Sequence, residues 1–281
     1  MTGTVLVTGA SRGIGEACAL RLVRAGMRVF AGVRDSAHGE ALQKAGGPGI
    51  LPVRLDVTDA ASIEAGLSLV VGQLGTGGLD ALVNNAGIAV GGPLELLTPD
   101  DLRQQLEVNV VGQQAVTRAF LPLLRRAHGR IVFMSSVAGR SSLPIMGAYG
   151  ASKHALEAMA DALRLELRPW GITVSLVEPG VIATEIWERS VGAAQTRLER
   201  ADPAALERYQ RIIDGVRRRA QRGRSGLPPD EVARAVARAL SARRPRARYV
   251  VGRDARLRIL LETLLPTRLR DRIVARVLEK L

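Results

Sequence analysis

The chain is 281 residues long, 47% hydrophobic and 24% charged with no low-complexity stretch, which excludes a disordered or fibrous protein and allows one large core. Its formal net charge of +13 is concentrated late, since residues 1–188 carry 16 basic against 17 acidic side chains and residues 189–281 carry 24 against 10. Only three of the 40 basic residues are lysine, aromatics make up 3%, and no recognition motif accompanies the charge, so the arginine is read as compositional bias and no nucleic acid partner is expected.

In chain order, the first strand-length apolar run lies at 4–7 and leads at once into Gly9, so no secretory signal is read ahead of it. There is no run of 18 apolar residues to span a bilayer, and the single cysteine, Cys18, excludes an internal disulfide; a cytoplasmic protein is expected. A helical-period stretch at 13–25 follows, then strands at 28–32, 51–55, 81–83, 130–134 and 173–177, separated by helical stretches at 36–45, 60–74, 100–126 and 148–168. That alternation is the pattern of βαβ units on a parallel sheet. Beyond 185 the pattern loosens into an arginine-rich helical region, 186–227, expected to cover the substrate. Pro228-Pro229-Asp230-Glu231 then opens a helix to Leu240, and a last strand lies at 249–251. The division expected is a catalytic domain over 1–252 and an amphipathic helical extension over 253–281. The extension carries Leu257, Leu260, Leu261, Leu264 and Leu265 before Pro266, and Leu269, Ile273, Val277 and Leu281 after it.

Thr8-Gly9-Ala10-Ser11-Arg12-Gly13-Ile14-Gly15 follows a strand and opens a helix, the context in which a glycine cluster becomes a pyrophosphate cradle. The glycines let backbone come close, and the helix N-terminus supplies unpaired N–H groups. Their G-x-x-x-G-x-G spacing resembles the short-chain dehydrogenase/reductase family. Asp56-Val57, Asn84-Asn85-Ala86-Gly87 and Pro179-Gly180 with Thr184 resemble it too, in the same order. The resemblance implies a single-domain, Rossmann-like α/β fold, a doubly wound parallel sheet with helices on both faces. It further implies that Asp56 and Val57 flank an adenine, Asn85, Ala86 and Gly87 border its ribose, and Ile182 and Thr184 meet the nicotinamide end. NADP(H) is the expected cofactor: the second strand ends in Val33-Arg34 where an enzyme preferring NAD carries a carboxylate, and Arg34 with Arg12 suits a 2′-phosphate. Asp35 stands close enough to keep NAD open.

Tyr149 and Lys153, four apart, share a helix face, Ser136 stands 13 residues upstream at a strand end, and Asn109 lies in the preceding long helix. With Tyr149-Gly150-Ala151-Ser152-Lys153 as Y-x-x-x-K, this set is similar to the family's active site. Tyr149 would be the acid and base of a carbonyl–alcohol interconversion, and Ser136 would bond the reacting oxygen, with Ser135 its rival. A neighbouring ammonium and an oxidised nicotinamide ring are both expected to favour the phenolate. The resemblance implies that Lys153 holds the nicotinamide ribose and that Asn109 positions a relay water. His38, His128 and His154 show no ligand spacing, so no metal is expected.

Residues 29–35 and 177–180 are similar to the hydroxysteroid and retinol dehydrogenase branch. Together with Ile88, Ala89, Val90, Leu143, Ile145, Met146, Ile186 and Trp187, they point to a small hydrophobic ketone, aldehyde or alcohol. A homodimer or homotetramer is expected, with Ala151, Ala155, Ala158, Met159 and Ala162 as a packing face. A second reading makes the chain a nucleotide-binding scaffold that docks on a membrane or partner through its basic C-terminal third.

Overall fold

Alternation along the strands sorts the core into two layers. In this computed structural model, which describes residues 3–184, 192, 202–222 and 226–279, the strands are β1 Thr4–Thr8, β2 Arg28–Val33, β3 Ile50–Arg54, β4 Ala81–Asn84, β5 Arg130–Met134, β6 Thr173–Pro179 and β7 Arg248–Val251. They form one sheet of order β3-β2-β1-β4-β5-β6-β7 with every pair parallel. Val5, Val7, Val29, Ala31, Val83 and Val132 face one layer, while Leu6, Phe30, Leu82, Ile131, Phe133 and Leu176 face the other. A period of two therefore sends the smaller side chains to one side of the sheet and the bulkier ones to the opposite side.

The helices are α1 Gly13–Arg24, α2 Ser36–Gly46, α3 Ala60–Leu74, α4 Pro99–Leu106, α5 Gly112–Arg126, α6 Gly147–Glu166, α7 Pro203–Arg222, α8 Pro229–Ser241, α9 Arg253–Leu264 and α10 Thr267–Glu279. On the small-residue side, α1 lies against α8, whose Val232, Ala233 and Val236 are fully buried. Arg21 on α1 grips Asp230 on α8 with two hydrogen bonds of 2.8 and 2.5 Å. The pair is partly exposed and contributes at most about 1 kcal/mol, so apolar burial rather than charge holds α1 to α8. On the bulky side, α3, α5 and α6 cover Phe30 and Phe133 of the sheet, and Phe120 of α5 is fully buried among them. The continuous helix expected over 100–126 is divided into α4 and α5 by a π-helical turn, Glu107–Val111. The apolar period does not distinguish these turns, and π turns concentrate at functional sites.

Strand order reverses between β1, which pairs with β2, and β4, which leads to β5, so the loops after β1 and β4 part and leave a crevice at the carboxyl ends of the strands. Thr8 locks these loops together. Its buried hydroxyl donates to the Val83 carbonyl at 3.4 Å and accepts from the Asn85 and Ala86 amides, each at 3.0 Å. The Asn85 side-chain Nδ2 donates bonds of 2.9 and 3.1 Å to the Thr8 and Gly9 carbonyls. Thr8→Val keeps the shape but removes the acceptor from two amides, and is expected to destabilise the fold by about 2 kcal/mol, read as a lower urea midpoint at unchanged slope.

Candidate active site

A cleft of about 260 Å³ runs along these strand ends. Its floor at one end is the glycine loop. Gly9 has φ +63°, and a Cβ there would lie 2.8 Å from the Ala86 Cα; at Gly15 it would lie 2.2 Å from the Gly9 carbonyl oxygen. Backbone of β1, α1 and the β4 loop is thus in direct contact, and Ser11, Arg12, Gly13 and Ile14 line the cleft at the N-terminus of α1. This is a concave cradle of closely approaching backbone beside a positive helix end, and it fits the pyrophosphate of a dinucleotide.

Arg34, Asp56 and Val57 line the neighbouring stretch. Burial pushes the Asp56 carboxyl up, but hydrogen bonds from the Thr58 amide and hydroxyl, together with the Arg34 charge, outweigh it and hold the group below its ordinary value. Asp35 turns away: its carboxylate caps α2 by accepting from the Ala37 amide at 2.9 Å and lies 3.3 Å from His38. The carboxylate that kept NAD open is therefore occupied with the helix start. Asn85, Ala86 and Gly87 form the next part of the wall, and Pro179, Gly180, Ile182 and Thr184 close the far rim. A Cβ on Gly13 would stand 3.4 Å from the Thr184 Cγ2, so this rim folds back over the glycine loop.

Ser136, Tyr149 and Lys153 line the same cleft. The Ser136 Oγ accepts from the Ala138 amide at 3.1 Å and is hydrogen-bonded to the Tyr149 hydroxyl. Ser135 points the other way, its buried hydroxyl donating to the Glu157 carboxylate at 2.5 Å. Tyr149 packs among Ala89, Ala138 and Met146. Burial pushes its phenol up, and the Ser136 bond offsets part of that rise. Desolvation by the apolar wall thus dominates in the protein without coenzyme and favours the neutral phenol. The Lys153 ammonium donates to the Met134 carbonyl at 2.7 Å and sits 5.6 Å from the centre of the Tyr149 ring. Burial pulls it down to about 8 against the opposing Glu157 charge.

Asn109 is fully buried on the π turn rather than in the cleft lining. Its amide accepts from the Ile88 N–H at 2.8 Å and donates to the Ile88 carbonyl at 3.0 Å and to the Ser152 hydroxyl at 3.1 Å. Gln105, one helical turn earlier, accepts from the Val90 N–H at 2.7 Å. The two amides clamp the 88–90 loop as a sheet neighbour would. Ile88 lines the cleft, Ala89 and Val90 are buried behind it, and Leu143, Ile145 and Met146 are half-buried on the segment leading to Tyr149. Ile186 and Trp187 lie outside the described residues. Among the described residues there is no cluster that would hold a metal ion.

Behind Lys153 lies a charged group that sequence reasoning missed. Arg248 of β7 bridges Glu157 at 2.9 Å, Glu178 at 3.2 Å and Asp161 at 2.7 Å, and Arg140 approaches Glu178 at 3.4 Å. Glu178 is wholly buried; burial, then the Glu157 charge, pushes it up to about 7 against the pull of the two arginines. Its signal was a carboxylate in the apolar run from Thr173 to Pro179, and Glu157 shared the spacing of four with Lys153.

A profile of the family described as short chain dehydrogenase matches residues 3–194. Mouse retinol dehydrogenase 5 is 37% identical over 286 residues, covering 98% of this chain and 89% of that protein. A short chain dehydrogenase from Burkholderia cenocepacia, solved in complex with NADP, superposes with a TM-score of 0.74 at 28% identity, covering 98% of this chain and 97% of that one. A short chain dehydrogenase/reductase from Burkholderia phymatum, solved in complex with NAD, does so at 0.76 and 28% identity, covering 92% of each chain. Because the Ser136 bond is the influence that lowers the Tyr149 phenol, Ser136→Ala is expected to move its titration further above that of free tyrosine. With three tyrosines in the chain, tyrosinate absorbance compared with Tyr149→Phe checks this.

Proposed function

Because the chain belongs to the short-chain dehydrogenase/reductase family and is an oxidoreductase acting between carbonyl and alcohol with a nicotinamide coenzyme, we propose that it is an NADP(H)-dependent reductase of hydrophobic ketones or aldehydes. The observation that carries this reading is the meeting of Tyr149, Ser136 and Lys153 in the same cleft as the glycine cradle. A coenzyme bound there supplies or takes up the hydride. Tyr149, held as a phenol by its apolar surroundings, gives its proton to the substrate oxygen in reduction, and Ser136 donates a hydrogen bond to that oxygen. Lys153 holds the ribose and steadies the phenolate left behind, and Asn109 keeps the 88–90 loop and the relay to solvent in place. Reversal gives alcohol oxidation.

Preference for the phosphorylated coenzyme is supported by Arg34 and Arg12 on the cleft wall and by the engagement of Asp35 elsewhere. Hydrophobic substrates are supported by Ile88 and by the apolar wall of Ala89, Ala138 and Met146 around Tyr149. Assembly as a homodimer or homotetramer would use the outer face of α6, where Ala151, Ala158 and Ala162 are exposed.

Titration of nicotinamide fluorescence is expected to give tighter binding of NADPH than of NADH, by a factor of about 10 or more, and Arg34→Asp should abolish the difference. Equal binding by the unmodified protein would overturn the cofactor assignment. Tyr149→Phe should lower turnover of lipophilic ketones by about 10²–10⁴ while NADPH still binds. Lys153 is protonated below about 8 and loses its charge above it, so the rate of reduction is expected to fall as pH rises through that value. A pH profile of kcat/KM reads this directly, and faster turnover of small sugars or hydroxy acids would sink the substrate class.

A further inference from the structure

The last two helices turn apolar side chains outward. In α9 the inward face is already taken: Ala255 is fully buried, Ile259 is half-buried, and the Arg258 Nε donates to the Ser141 hydroxyl at 3.0 Å. On the opposite face, Leu257, Leu260 and Leu264 are 57%, 53% and 68% exposed, joined by Leu261. In α10, Leu269, Ile273 and Val277 are exposed at a spacing of four, and Arg268, Arg272 and Arg276, each one residue ahead, form a second exposed row beside them. Among the described residues these three arginines have no ion pair, whereas the acidic side chains nearby are engaged. Glu262 pairs with Arg270, Asp271 lies 3.5 Å from Arg270, and Asp254 accepts from the Val181 amide at 3.0 Å.

We propose that α9 and α10 form a docking surface for an anionic lipid bilayer. The leucines, Ile273 and Val277 enter the headgroup boundary, and the arginine row meets lipid phosphates. Charge complementarity favours this occupant over a second copy of the chain, which would set arginine row against arginine row with no unengaged carboxylate beside them among the described side chains. No helix among the described residues is long and apolar enough to cross a membrane, so the contact is peripheral. Through Arg258 on Ser141 and Asp254 on Val181, α9 is fastened to the two segments that continue from Ser136 and from Pro179-Gly180. Docking therefore sets the rim of the cleft next to the bilayer.

The test is co-sedimentation of the full chain with vesicles of phosphatidylglycerol and phosphatidylcholine, or of phosphatidylcholine alone, at low and high salt. Binding is expected to the mixed vesicles only, and to fall as salt rises. The variant Leu257→Ser/Leu260→Ser/Leu264→Ser, which leaves charge unchanged, should bind at least about tenfold more weakly, and so should Arg268→Gln/Arg272→Gln/Arg276→Gln. Circular dichroism melting checks that both fold, and the single Leu264→Ser serves should the triple leucine variant fail to. Absence of binding to any vesicle overturns the proposal. Leucine variants that bind as the unmodified chain does also overturn it, since general attraction by the net charge would then suffice. So does a stable dimer in analytical ultracentrifugation that the leucine substitutions dissociate.

Discussion

The cleft depends on backbone touching backbone. Gly9, Gly15 and Ala86 approach so closely that one methylene at Gly15 would collide with the Gly9 carbonyl, and the Thr8 hydroxyl is the pin that keeps β1 and the β4 loop at that separation. The loops diverge beyond this contact because strand order reverses between β1 and β4, and the crevice opens above it. The same contact places the start of α1, the wall after β4 and the end of β5 around one crevice. The reacting side chains are then brought to it from α6.

At the other end of the crevice the constraint is electrostatic. Lys153 is buried and would shed its proton easily, and the Glu157 carboxylate nearby is what opposes this. Glu157 is in turn held by Ser135 and Arg248, and Arg248 is shared with Glu178 and Asp161. Edge strand β7 thus reaches the chemistry through one guanidinium, although none of its residues lines the cleft. Buried ions at this density are costly to assemble, and removal of one partner leaves another unbalanced.

The seven strands, the parallel sheet and the glycine cradle were legible because they rest on periodicities and spacings that a sequence prints openly: two along the strands, Gly9-x-x-x-Gly13-x-Gly15 at the turn, Tyr149 and Lys153 four apart. Other features turn on direction, which spacing does not encode. Ser135 and Ser136 are adjacent, yet one faces Glu157 and the other Tyr149. Asp35 beside Arg34 was ambiguous until its carboxylate was seen to cap α2. The π turn at Asn109 was hidden within an unbroken helical period, and the burial of Tyr149 by Ala89, Ala138 and Met146 comes from three separate segments that no local spacing joins.

Gly180 ties the tail to the cleft: a Cβ there would stand 2.2 Å from the Asp254 carboxylate, which also receives the Val181 amide. The first turn of α9 and the far rim of the crevice are thereby one piece of structure rather than two. Occupants of the two places cannot be thermodynamically independent if either one shifts that piece. Whatever factor a molecule gripping α9 imposes on affinity in the crevice, a molecule in the crevice imposes on affinity for α9, because the coupling free energy belongs to the shared contact and has no direction.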